Sequence, residues 1–228
     1  MAHALRYTEA DYRSAASAIA HRLRGWLPND KGALCLDVAC GAGEMLYMLK
    51  TFGYRNITGI DVSPEQVQTA QRIWPNVLEI DAKRYLDNHP GEFDLITAFD
   101  IVEHFAKDEL FEFLDGLFRA LRPGGVAIFQ TPNAESPWGM KVRYGDLTHE
   151  IGFDPLSLAH VLKLVGFDAC EPRECGPYVH GPTSLIRVLL WKALHAGLAL
   201  WNLAETGNRG SGVYTRVFIM RAVKPPPS

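Results

Sequence analysis

Residues 33–51 leave this chain few folds to adopt. ALCLDV at 33–38 is a short apolar run, Ala39-Cys40-Gly41-Ala42-Gly43 is a glycine-rich turn, and residues 44–51 resume with helical spacing. Strand, tight turn and helix in that order make one βα unit. The unit then repeats. Residues 57–60 form a short strand, and Asp61 follows. Ser63-Pro64-Glu65-Gln66 opens a helix with a serine suited to the N-cap and a proline suited to the first helical position. Residues 77–80 and 93–99 read as the third and fourth strands. Residues 108–121 read as an amphipathic helix stopped by Pro123-Gly124-Gly125, and 126–131 as the fifth strand. Strands alternating with helices over about 100 residues require a parallel sheet with right-handed crossovers and helices on both faces.

The flanks are less regular. Residues 8–27 begin with Thr8, carry Glu9 and Asp11 in the first turn, and place Ala15, Ile19, Leu23 and Leu27 at helical spacing before Pro28, which predicts an amphipathic helix. After Pro132 comes a loop at 133–154, long enough to be functional, with aromatic residues that favour order. A helix at 155–165 follows. Strands at 167–175 and 212–223 enclose an insertion with an apolar helix at 183–204. The expected organisation is one domain: a helical lead at 1–30, a ligand-binding core at 31–175, the insertion at 176–211, and a last strand and tail at 212–228. The 228 residues, 47% hydrophobic, are ample for a real core. A net charge of -3 gives no basic field, so nucleic acid is not an expected partner. Cys35, Cys40, Cys170 and Cys175 form no CxxC pair and read as reduced thiols. MAHALRYTEADYRS has neither the basic nor the apolar region of a secretory leader, so a cytoplasmic location is expected. No 20-residue uncharged run marks a membrane span.

Ligands of open parallel sheets bind beyond the carboxyl ends of the strands. The residues there are Asp37, Ala39, Gly41 and Gly43 at the first turn, Asp61 after the second strand, Asp81-Ala82 after the third and Phe99-Asp100 after the fourth. A dinucleotide site would want a third glycine where Leu46 stands, and the acid Asp37 suits an ammonium better than a pyrophosphate. DVACGAG, GIDVSPEQV, EIDAKRYL, FDLITAFDIVEH and LRPGGVAIFQTPN, in that order, resemble the class I methyltransferase family. The resemblance implies a Rossmann-like, doubly wound α/β fold: a mostly parallel seven-stranded sheet with one antiparallel strand and a helical insertion before the last strand. It implies S-adenosyl-L-methionine as cofactor. Asp37, Gly41 and Gly43 would hold its methionine moiety, Asp61 the ribose, and Val62, Asp81 and Ala82 the adenine. Ala39 departs from a pattern that often has glycine.

An oxygen acceptor must lose a proton, and histidine is a suitable base at neutral pH. His104, just after the fourth strand, and His149, in the long loop between Asp146 and Glu150, are the candidates. Asp100, Glu103, His104, Asp146, His149 and Glu150 are ligand types, but no HExxH spacing is present and no metal is expected. On the apolar helix, Arg187, His195 and Asn202 share a face that Lys192 does not. The helix could pack internally, pair two subunits as a homodimer, or lie on a membrane surface as a peripheral contact through 183–204. TPNAESPWG, DLTHEIGFDP and AETG before YTRVFIMRAV resemble the methyltransferases found with polysaccharide and lipopolysaccharide assembly. That resemblance implies O-methylation of a small-molecule or glycan substrate, on a nucleotide or lipid carrier. Trp138, Arg143, Tyr144 and Asp146 suit a carbohydrate and equally an aromatic acceptor. Competing readings are an O-, N- or C-methyltransferase of a quinone or other small metabolite, and a binding protein that keeps the fold without turnover.

Overall fold

The computed structural model describes residues 7–226. The N-terminal part of the expected lead and the last residues of the tail lie outside the described residues. The strands are β1 (Leu34–Val38), β2 (Asn56–Asp61), β3 (Val77–Glu79), β4 (Phe93–Phe99), β5 (Leu121–Pro132), β6 (Asp168–Glu174) and β7 (Val217–Val223). They form one sheet in the order β3-β2-β1-β4-β5-β7-β6. Only β7 runs against its neighbours, β5 and β6. Strand order reverses between β1 and β4, which places the ligand crevice beyond Val38 and Phe99.

The helices are α1 (Glu9–Arg22), α2 (Glu44–Thr51), α3 (Pro64–Gln71), α4 (Ala82–Asp87), α5 (Lys107–Ala120), α6 (Gly139–Arg143), α7 (Pro155–Val165) and α8 (Pro182–Thr206). One apolar cluster joins the first three to one sheet face through Ile19, Leu46, Leu49 and Val67. A second joins α4, α5 and α7 to the other face through Leu86, Leu114, Leu117 and Leu162. The ends follow local chemistry: Ser63 accepts from the Gln66 amide with Pro64 inside the first turn, and Asp154 caps α7 in the same way. The four cysteines are free thiols.

Three expected element bounds shift, and two short helices, α4 and α6, stand where none was expected. The leading helix stops at Arg22 and does not reach residue 27, because the chain turns at Gly25 (φ 77°) and buries Trp26. The Arg173 guanidinium lies 3.8 Å from the Trp26 ring centroid and donates to the carbonyls of Arg22 (2.6 Å) and Arg24 (2.9 Å), fastening the end of α1 to β6. Helix α4 was not expected; it is only six residues long and needs little more than its Asp81 cap. The Pro123-Gly124-Gly125 turn survives as a bulge between the pairs Phe93–Leu121 and Leu95–Val126, so β5 starts before residue 126. The last strand starts at Val217 and not at residue 212. The buried Asn133 amide donates to the carbonyls of Val213 (2.8 Å) and Thr215 (2.9 Å), drawing that segment off the ladder.

Candidate active site

Two cavities of about 270 Å³ and 220 Å³ meet at Ala39 and run along the carboxyl edge of the sheet. Asp37, Ala39, Gly41, Phe99 and Asp100 line the first, and Ala39, Asp61, Val62, Asp81 and Ala82 line the second. Gly43 lines neither. It heads α2 at φ 90°, and a Cβ there would stand 3.2 Å from the Ala70 Cβ, so its part is the close approach of α2 to α3. Ala39 holds φ 54° between the two cavities, a left-handed conformation that costs a residue with a Cβ about 1–2 kcal/mol. That is the physical reason a glycine would be at ease there.

The acids of the crevice are held in different ways. Asp37 is buried and takes a 2.6 Å hydrogen bond from the Thr97 hydroxyl. Burial pushes its carboxyl up to about 7, against the Thr97 hydrogen bond and with help from the nearby Asp61 charge. Asp61 accepts the Gly41 amide on one oxygen and the Ser63 amide on the other, both at 2.9 Å, tying together the loops after β1 and β2. Each oxygen keeps a lone pair for a ligand. Asp81 is both the N-cap of α4, accepting from the Arg84 amide at 3.0 Å, and a wall of the crevice. Asp100, at φ 51°, accepts from the Gln130 side-chain amide at 2.8 Å, and burial raises its carboxyl above the ordinary range. Sequence reasoning missed Arg22, Glu44, Gln66 and Gln130, which also line the first cavity. Gln130 stands near the end of β5, where the strand-end rule that found Asp100 applies equally.

The fold brings His104 and His149 together, their ring centroids 4.8 Å apart. His104 sits in the 3-10 turn Val102–His104 with its Nδ1 bonded to the Thr148 hydroxyl at 3.0 Å. Glu103, from the same turn, is buried and joins them. One ligand atom from each of Glu103, His104 and His149 lies within 4.8 Å of the others. Glu103 Oε2 accepts from the Thr131 hydroxyl at 3.0 Å, while Oε1 has no hydrogen-bond partner and faces His149 Nε2 at 4.0 Å. His149 Nδ1 is likewise buried without a partner. Burial lifts the Glu103 carboxyl to about 7, and Asp100 adds to the effect. Such a set can orient an imidazole that takes up a proton, or hold a divalent cation through two nitrogens and a carboxylate. No metal was expected from sequence; distances between residues 103–104 and 149 are fixed only by the fold. Both imidazoles lie near enough to Asp100, on the wall of the first cavity, to offset part of the rise that burial gives its carboxyl.

A third cavity, about 510 Å³, opens beside the first. Arg22 lines both. Arg187, Arg216, His180, Trp138, Trp191 and Tyr178 complete much of its wall, with no carboxylate among the lining residues. Of the loop residues expected to suit an acceptor, Trp138 lines this cavity, whereas Arg143, Tyr144 and Asp146 do not.

The sequence matches a family described as a methyltransferase domain over residues 7–171. A ubiquinone biosynthesis O-methyltransferase of Thiobacillus denitrificans is 30% identical over 108 residues, 45% of each chain. A 2-methyl-6-phytyl-1,4-hydroquinone methyltransferase of Synechocystis is 32% identical over 104 residues, 42% of this chain and 31% of that protein. The match thus spans less than half the length of these curated relatives. A SAM-dependent methyltransferase from Archaeoglobus fulgidus shares the fold at TM-score 0.68, covering 95% of this chain and 97% of its own at 23% identity. With the family match covering most of its length and the crevice lying where the strand order reverses, the chain belongs to the methyltransferase-domain family, whose cofactor is S-adenosylmethionine.

Proposed function

We propose that this protein transfers the methyl group of S-adenosylmethionine to a hydroxyl oxygen of a small acceptor that carries an anionic group. The observation that carries the reading is the junction at Arg22, where a crevice lined by the acids Asp37 and Asp100 meets a cavity walled by three arginines and no carboxylate. In the transfer the acceptor oxygen forms a bond to the methyl carbon as the sulfur–carbon bond breaks in line. The sulfonium loses its charge and the hydroxyl proton leaves to a base. For that base we take His149, which stands behind the lining of the three cavities, with Glu103, once ionised, positioned to favour the imidazolium it becomes. A sugar on a nucleotide or lipid carrier brings both the hydroxyl and the phosphate that Arg22, Arg187 and Arg216 would meet. A second reading, a phenolic quinol precursor, draws on the names of the two curated relatives and on the aromatic wall of Trp138, Trp191 and Tyr178.

Incubation with radiolabelled S-adenosylmethionine and paired acceptors tests this. Label is expected on hydroxylated phosphate esters and lost when Arg216 becomes Gln. Equal labelling of neutral phenols by both proteins would favour the quinol reading instead.

The cofactor half makes a separate pH prediction. Asp37 meets the ammonium of the methionine moiety as a carboxylate, yet in the ligand-free protein it holds its proton to about pH 7. Its folded pKa is raised, so the stability it contributes is present below the ordinary carboxylate range and is lost as pH rises toward 7. Cofactor binding must release that proton. Affinity for S-adenosylhomocysteine, measured by calorimetry, is therefore expected to be about tenfold weaker at pH 6 than at pH 8. Asp37→Asn is expected to flatten the profile, and a flat profile in the unaltered protein would remove Asp37 from the ammonium site.

A further inference from the structure

Helix α8 is 25 residues long and touches the body of the protein along one stripe. Ser184, Val188, Trp191, His195 and Asn202 face inward, and all are at least half-buried. Ser184 receives the His180 amide at 2.8 Å, Trp191 donates to Glu174 at 3.1 Å, and His195 bonds the Gly212 carbonyl at 3.0 Å. Among the described residues nothing covers the opposite side. Ile186, Leu189, Leu190, Leu194, Leu200 and Trp201 are all exposed, Trp201 by 68%. At about 100° per residue, the arc running from Leu185 to Leu194 covers half the helix circumference, and within 185–204 it carries only Leu, Ile, Ala, Gly and Trp. Arg187 and Lys192 stand just beyond its two edges, and no acid occurs in the helix before Glu205.

We propose that α8 docks this protein onto the surface of a membrane containing anionic lipid, lying in the plane of the interface. Three observations choose a bilayer as the occupant. The arc's one side-chain hydrogen-bonding group, the Trp201 indole N–H, is already given to Glu205 at 2.9 Å, unlike the polar rims of protein interfaces. The two cations border the apolar arc on both sides, where long basic side chains reach headgroup phosphates while their stems stay with the apolar surface. The cavity side of the same helix supplies Arg187 and Trp191, so a bilayer beneath α8 adjoins the mouth of that cavity. By length and composition α8 is also able to cross a membrane. The inward hydrogen bonds of Trp191 to Glu174 and of His195 to the Gly212 carbonyl hold it flat against the body instead. Docking does not depend on the acceptor reading.

Vesicle flotation of the full chain tests it, with phosphatidylcholine alone or mixed with phosphatidylglycerol. The protein is expected to float with the mixed vesicles and far less with phosphatidylcholine alone. Leu189→Glu combined with Leu200→Glu, both on the exposed arc, is expected to lower the bound fraction about tenfold or more. The double variant should keep the thermal midpoint and S-adenosylhomocysteine affinity of the original, which separates loss of docking from loss of the fold or of the cofactor site. Failure of the unaltered protein to float with either vesicle overturns the proposal. So does a stable dimer in light scattering that the double variant converts to monomer, since a second copy would then cover the arc.

Discussion

Replacing Asp61 by alanine is expected to weaken S-adenosylhomocysteine binding by on the order of 10- to 100-fold, the largest effect of any single change in the crevice. Two losses add. The ribose hydroxyls lose an ionised acceptor, and hydrogen bonds to charged groups are worth about 1.5–3 kcal/mol each. The Gly41 and Ser63 amides also lose the carboxylate that joins their loops, so the first turn is no longer fixed relative to the second. Asp61→Asn keeps an acceptor oxygen and one loop tie, and its loss should fall between the two. Calorimetry beside a thermal melt of the ligand-free proteins distinguishes the contributions. Wild-type affinity in the alanine variant would show that the ribose is held elsewhere.

The second large effect concerns His149. His149→Ala is expected to lower the rate of methyl transfer by about 10²- to 10⁴-fold, the range for removing a general base, with cofactor affinity nearly unchanged. His104→Ala should cost less, because its Nδ1 is already engaged by Thr148. A base leaves a signature in the pH profile: the fall in rate at low pH should vanish in His149→Ala. If the cluster instead holds a divalent cation, a chelator will lower the rate of the unaltered protein and Mn²⁺ will restore it. That result would move His149 from base to ligand, a role the partnerless Glu103 Oε1 and His149 Nδ1 would also suit.

Much of the crevice was legible because the constraints are local. A strand of four to seven residues must end somewhere, a parallel sheet puts its ligands at those ends, and Asp37, Asp61, Asp81 and Asp100 are read off without any tertiary information. The periodicity of α5 and the Ser63-Pro64 start of α3 are legible for the same reason. What sequence could not supply is convergence. Arg22 from α1, His180 from the link after β6 and Arg216 just before β7 meet across a cavity although nearly 200 residues separate the first from the last. Glu103 and His149 meet across 46 positions for the same cause. The φ of Gly43 suits a ligand turn and a helix–helix contact alike, and the 3.2 Å approach to Ala70 that the second requires is visible only in the fold.

Arg22 has a consequence for how the protein is made. The wall it gives to both cavities stands at the end of α1, and that end is tied down by Arg173, about 150 residues later in synthesis. A nascent chain released after β5 would already possess every acid of the crevice and the apolar seat of α1, yet the end of that helix would lack its Arg173 tie. The full wall at Arg22 is therefore held in place only in a chain grown through β6. The end of α1 thus belongs to the wall of the crevice and is completed from the far end of the chain.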